Sequence, residues 1–128
     1  MHIDHVALWT TRLEQSKAFY ERYFGAQAGE KYVNAAKGFE SYFLSFASGA
    51  RLEIMRVTGL RARDDEEAAA TGLTHLAFAT GSEQAVDALA ERLLGDGYPL
   101  LDGPRRTGDG YYECVVADPD GNRIELTV

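Results

Sequence analysis

An α+β fold built from two tandem βαβββ modules is predicted for this 128-residue chain. Three observations predict it. An alternating apolar segment near the start leads into one amphipathic helical stretch and then into strand-like runs. The same order recurs in the second half. A His and a Glu also fall at matching points of both copies: His5 and His75 are 70 positions apart, and Glu53 and Glu125 are 72 apart. The length suits a single domain spanning residues 1–128, with modules of about 1–60 and 73–128.

The first copy opens with a strand from Ile3 to Trp9, where Val6 and Leu8 alternate with His5 and Ala7. A helix follows. Thr11 and Glu14 have capping-box spacing, Leu13, Phe19, Tyr20, Tyr23 and Phe24 form its apolar stripe, and Gly25 stops it. Strand-like runs come next around Lys31–Val33, Ser41–Phe46 and Arg51–Val57, the last two separated by the turn signal Ser48-Gly49. The second copy runs through a strand at Thr74–Ala79 and a helix capped by Ser82. That helix carries the stripe Val86, Leu89, Ala90, Leu93 and Leu94 and is ended by Gly95. Further strands are expected around Pro99–Leu101, Tyr111–Ala117 and Arg123–Val128. Asp118-Pro119-Asp120-Gly121 predicts the turn before the last one, since Pro fixes one dihedral and Gly permits a positive one.

Between the copies, Arg61–Gly72 reads as an acidic linker with room for a helical turn. Its run Asp64, Asp65, Glu66 and Glu67 is read as a solvated face. The net charge of −7 argues against nucleic acid or an anionic membrane as a partner, since both require a basic footprint. One cysteine, Cys114, excludes an internal disulfide and a thiolate metal cluster, and points to the cytoplasm. The start of the chain has neither the basic residues nor the long apolar run of a signal peptide, and no stretch reaches the length of a membrane span.

Strand phase singles out four polar residues. His5, Glu53, His75 and Glu125 each lie between apolar neighbours, on the strand face opposite the one expected to pack on the helices. Two imidazoles and two carboxylates make a nitrogen and oxygen donor set suited to a divalent ion. His2 and Asp4 fall on the other face from His5 and are read as structural or exposed; Glu113 has no counterpart in the first half and is read as surface or a secondary contact. Arg105 and Arg106, ahead of Gly108-Asp109-Gly110, are read as solvated residues of a hairpin, the alternative being a grip on a substrate anion. Tyr42, Tyr111 and Tyr112 are candidates for a pocket wall, although most strand tyrosines pack.

Several segments carry a family resemblance: His5-Val6-Ala7-Leu8, Ala18-Phe19-Tyr20 with Tyr23-Phe24-Gly25, Arg51-Leu52-Glu53-Ile54-Met55, Thr74-His75-Leu76-Ala77-Phe78, and Asp118 to Leu126. Over essentially its whole length the chain resembles the vicinal oxygen chelate superfamily. That superfamily includes glyoxalase I, extradiol dioxygenases, methylmalonyl-CoA epimerase, thiol transferases of fosfomycin resistance and bleomycin-binding proteins. The resemblance implies a glyoxalase-like domain whose paired modules curve one mixed sheet around a metal site, with the helices on the outer face. It also implies a homodimer and a small-molecule substrate. Glyoxalase I carries His or Gln, Glu, His and Glu at the four ligand places, and this chain matches all four. Epimerase-like members tend to have Gln where Glu53 stands, and the dioxygenases and fosfomycin-resistance enzymes usually rely on two His and one Glu. The glyoxalase I-like branch is therefore favoured.

The resemblance implies a lactoylglutathione lyase-like enzyme. It would move a proton next to a carbonyl of a hydroxy-carbonyl or hemithioacetal substrate, with two adjacent substrate oxygens on one divalent ion (nickel, cobalt, zinc, manganese or iron). Glu125 is expected to be the base and Glu53 to deliver the proton on the other face, with His5 and His75 as neutral anchors. Two departures bear on glutathione. Trp9 stands where bacterial glyoxalase I holds an Arg for the thiol's carboxylate, and Met55-Arg56-Val57 replaces a stretch containing an Asn. Trp9 reads equally as an apolar pocket wall and as a packing residue at a strand end. The rival readings are a non-haem iron dioxygenase and a non-catalytic binding or resistance protein of the same superfamily.

Overall fold

The structure is a computed structural model that describes residues 1–61 and 71–128. The acidic run at Asp64, Asp65, Glu66 and Glu67, and with it the helical turn expected in the connection, lies outside the described residues. The chain divides into two compact units, Met1–Glu66 and Glu67–Val128. Each is an α+β layer of one helix on one mixed sheet.

The first unit contains β1 (His5–Trp9), α1 (Leu13–Phe24), β2 (Gln27–Ala28), β3 (Tyr32–Asn34), a short 3-10 turn, β4 (Phe39–Ser45) and β5 (Arg51–Val57). The sheet runs β1-β5-β4-β2, with β3 also paired to β4. β1 and β5 are parallel and the other pairings are antiparallel. One short strand, β2, exceeds the βαβββ expectation. Two residues paired to Leu44 and Ser45 have no periodicity of their own to reveal them.

α1 forms because Leu13, Ser16, Phe19, Tyr20 and Tyr23 recur at helical spacing and are buried on one side. The aromatic rings cluster, with Phe19 centroids 5.2 Å from both Tyr20 and Tyr23 and 5.5 Å from Phe24. Gly25 ends the helix at φ 64°, which any Cβ would strain, and the Ala26 amide donates to the Tyr20 carbonyl at 3.2 Å. The start departs from the capping box. Arg12 is the N-cap and its side chain makes no capping bond. The Glu14 carboxylate instead pairs with Lys31 at 3.0 Å and accepts from the Tyr42 hydroxyl at 3.2 Å. Lys31 first, and then the Tyr42 hydroxyl, hold that carboxyl below its ordinary range. The stripe of α1 packs on Leu44, Leu52 and Ile54 of the sheet, all buried.

The second unit is βαβββ as expected: β6 (Leu76–Ala79), α2 (Glu83–Gly95), β7 (Leu100–Arg106), β8 (Tyr112–Ala117) and β9 (Arg123–Thr127), in the order β6-β9-β8-β7. β6 and β9 are parallel. Ser82 caps α2, its hydroxyl accepting from the Ala85 amide at 3.1 Å. Gly95 is the last helical residue and Asp96 the C-cap; the left-handed turn falls at Gly97, φ 89°. Val86, Ala90 and Leu93 pack on Cys114, Val116, Ile124 and Leu126, all buried. Burial pushes the Cys114 thiol up to about 11, so it behaves as a core residue and not as a nucleophile.

The last turn is built by one buried carboxylate. Asp118 accepts from the Asp120 amide at 2.9 Å, the Asn122 amide at 2.8 Å and the Asn122 side-chain amide at 2.8 Å. It fixes where β9, and Glu125 on it, begins.

Candidate metal centre

The same construction appears in both units. In the parallel pair β1–β5, Ala7 is the register partner of Glu53. In the parallel pair β6–β9, Ala77 is the partner of Glu125. Each Glu thus lies beside an alanine, which leaves its carboxylate room to reach the His two residues before that alanine; His5 opens β1, and His75 immediately precedes β6. His5 Nε2 stands 4.0 Å from Glu53 Oε2, and His75 Nε2 stands 3.4 Å from Glu125 Oε2. Exposure matches as well: the His side chains are 40% and 39% exposed, and both Glu side chains 16%.

The structure therefore places the four predicted residues as two His–Glu pairs, His5 with Glu53 in the first unit and His75 with Glu125 in the second. Among the described residues no third His, Cys, Asp or Glu completes a group of three around either pair. The donor chemistry fits a divalent ion. Two ligands each about 2.0–2.2 Å from one ion stand no more than about 4.4 Å from each other, and both observed separations lie within that reach.

Each imidazole is also held from behind by the residue just before it. Asp4 Oδ2 is 2.8 Å from His5 Nδ1, and Thr74 Oγ1 is 3.0 Å from His75 Nδ1. Asp4 in turn accepts from Arg51 Nη2 at 2.6 Å. The His5 ring first, and then the Arg51 guanidinium, hold the Asp4 carboxyl below its ordinary range. Strand phase alone marks Asp4 as a structural or exposed residue. It is exposed, but its side chain turns along the strand to the imidazole.

The surroundings of the two pairs differ. Phe43 is the register partner of Glu53 and meets the His5 ring edge-on at 5.3 Å. Trp9, on the His5 face, is half exposed and edge-on to Phe39 at 6.3 Å. Val115 is the partner of Glu125. Two residues beyond Glu125, on the same strand face, Thr127 Oγ1 is buried with no hydrogen-bond partner among the described residues.

Other candidates fall elsewhere. Arg105 and Arg106 lie exposed on β7 of the β7–β8 hairpin, as expected: Arg105 pairs with Asp102 and, at 3.3 Å, with Glu113, while Arg106 pairs with Glu83. Glu113 is on the same face as Glu125, since its partner is Thr127, and most of its side chain is covered. Tyr42 and Tyr112 turn to the helix side and bond Glu14 and Asp87, the latter at 2.8 Å. Their phase gives this away, because Tyr42 is two residues from Leu44 and Tyr112 two from Cys114, both core positions. Tyr111 is exposed.

Comparison with known proteins agrees with this architecture. The chain is 28% identical over 131 aligned positions to the uncharacterized protein YqjT of Bacillus subtilis (strain 168), covering 97% of this chain and 96% of that one. It is 31% identical over 124 positions to metallothiol transferase FosB of Lysinibacillus sphaericus (strain C3-41), covering 97% and 79%. Among solved structures, glyoxalase I from Zea mays superposes with a TM-score of 0.81 at 23% identity, over 98% of this chain and 44% of the maize chain, a likeness of fold. A family profile, Glyoxalase/Bleomycin resistance protein/Dioxygenase superfamily, matches residues 2–126. The chain belongs to the glyoxalase/bleomycin resistance protein/dioxygenase superfamily, the vicinal oxygen chelate proteins.

Proposed function

We propose that this protein is a metal-dependent lyase or isomerase of the glyoxalase I type, with one divalent ion held by His5, Glu53, His75 and Glu125. The observation that carries the reading is the duplicated His–Glu pair, in equivalent register on a parallel strand pair in each unit. A single such pair is a common surface feature. Two in the same phase, with matching exposure, are hard to account for as surface decoration. In this reading the two units act as one domain, the protein is a cytoplasmic homodimer, and the substrate is a small hydroxy-carbonyl compound or hemithioacetal.

A bound divalent ion would supply Lewis-acid stabilisation of the charge that builds on two adjacent substrate oxygens. The chain's own groups do the rest. Glu125 takes the proton from the carbon next to the carbonyl, and Glu53 returns it on the other face. Both carboxylates are mostly covered, which limits competition from water. The buried Thr127 hydroxyl offers a hydrogen bond near Glu125. Phe43 borders the His5–Glu53 pair with aromatic surface, and Trp9 lies on the same strand face as His5, in keeping with a substrate less charged than glutathione.

The test is metal-free protein reconstituted in turn with nickel, cobalt, zinc, manganese and ferrous iron, assayed with methylglyoxal and a panel of thiols. Isomerisation should return with at least one ion and at least one thiol. Silence across every thiol and ion would sink the glyoxalase-type assignment. The FosB similarity favours a second reading, metal-dependent transfer of a thiol. Consumption of thiol onto an electrophile, with no isomerisation, would decide for that reading.

A further inference from the structure

The two His–Glu pairs are not supported equally. His5 belongs to a closed circuit of contacts. Arg51 Nη2 donates to Asp4 Oδ2 at 2.6 Å, and Asp4 Oδ2 meets His5 Nδ1 at 2.8 Å. The His5 ring meets Phe43 edge-on at 5.3 Å, and the Arg51 guanidinium lies over the same Phe43 ring at 4.5 Å. The backbone joins in, the Arg51 amide donating to the Asp4 carbonyl at 3.0 Å. In this circuit the imidazole has little freedom to turn.

The chemistry of the partner matters as much as its place. An ionised carboxylate can only accept, so the 2.8 Å contact requires the proton on His5 Nδ1. In the neutral ring the lone pair is then on Nε2, the nitrogen that faces Glu53. Thr74, the counterpart behind His75, is a hydroxyl that can donate or accept, so it fixes neither tautomer.

We infer that Asp4, itself held by Arg51, is a positioning residue that locks His5 in the tautomer and orientation needed to bind a metal ion through Nε2. This rests on the metal-site reading above. A carboxylate behind a ligating imidazole also raises the basicity of the ligand, and removing such partners typically weakens metal binding about 10–100-fold.

The experiment uses the full chain. Zinc affinity is measured by competition with a chromophoric chelator for wild type, Asp4→Ala, Asp4→Asn and Arg51→Met. In parallel, ¹⁵N-detected imidazole spectra of the metal-free proteins report which ring nitrogen carries the proton. Asp4→Ala should lose roughly 10–100-fold in zinc affinity. Asp4→Asn, whose amide oxygen still accepts, should lose less, and Arg51→Met should also fall short of the alanine variant. Metal-free wild type should show His5 as a single Nδ1–H tautomer, and Asp4→Ala should shift it toward Nε2–H. Asp4 is exposed, so its variants should unfold at the wild-type temperature. If wild type binds zinc and Asp4→Ala binds it as tightly with the same tautomer, the positioning role is wrong and the metal site stands. If wild type itself takes up no zinc or other divalent ion, the metal-site reading fails, and this inference with it.

Discussion

Glu125→Gln is expected to lower turnover by roughly 10²–10⁴-fold, the usual contribution of a positioned general base. The amide keeps the shape of the carboxylate and an oxygen that can face an ion, but it cannot take a proton. Metal affinity should therefore fall much less than turnover. The pairing of Ala77 with Glu125, the 3.4 Å approach to His75 Nε2 and the low exposure of the carboxylate put the proposed base beside the nitrogen proposed to hold the ion. The measurement is kcat for isomerisation beside a metal titration of the same preparation. Turnover within about threefold of wild type would remove Glu125 from the chemistry. A collapse of metal binding as large as the collapse in rate would make it a ligand only.

Phe19→Ala should be the most damaging single change to the fold. The ring is almost fully buried and contacts three other aromatic rings of α1, so its removal leaves a cavity that a helix face cannot close. Large-to-small changes of this kind cost about 3–5 kcal/mol. A chain of this size would lose on the order of 10 °C or more in Tm. Urea denaturation monitored by far-UV circular dichroism gives the value directly. A loss below about 1.5 kcal/mol would mean that the aromatic face of α1 is not the core of the first unit. The consequence reaches the candidate site, because α1 packs on β4 and β5, and β5 carries Glu53.

How much of this was legible in the sequence depends on the range of the interactions. Strand phase was legible because it is local: Leu52 and Ile54 are buried on either side of Glu53, and Ile124 and Leu126 on either side of Glu125. The Ser82 cap and the Asp118 turn are also local, and the structure reproduces both. What the sequence concealed lies in contacts between distant residues. Glu14 has capping-box spacing, yet Lys31 and Tyr42 draw its carboxylate away, and neither is within reach in a sequence pattern. β7 extends to Arg106, past the expected Leu101, because Asp102 and Arg105 of that strand, with Glu113 across from it, hold it through charge pairs that carry no apolar alternation. Asp4 is the clearest case. Its phase puts it away from His5, and only Arg51, 47 positions later, explains why its side chain stays beside the imidazole.

On the proposed reading, one ion is shared by the imidazoles of His5 and His75 and the carboxylates of Glu53 and Glu125. X-ray absorption on protein loaded with one equivalent of zinc tests it most directly. One tightly held ion per chain is expected, with two imidazoles and otherwise oxygen donors in its coordination sphere, and one imidazole fewer in His5→Ala and in His75→Ala. A zinc ion retained with no imidazole scattering, or with one imidazole unaffected by one of the two substitutions, would contradict it.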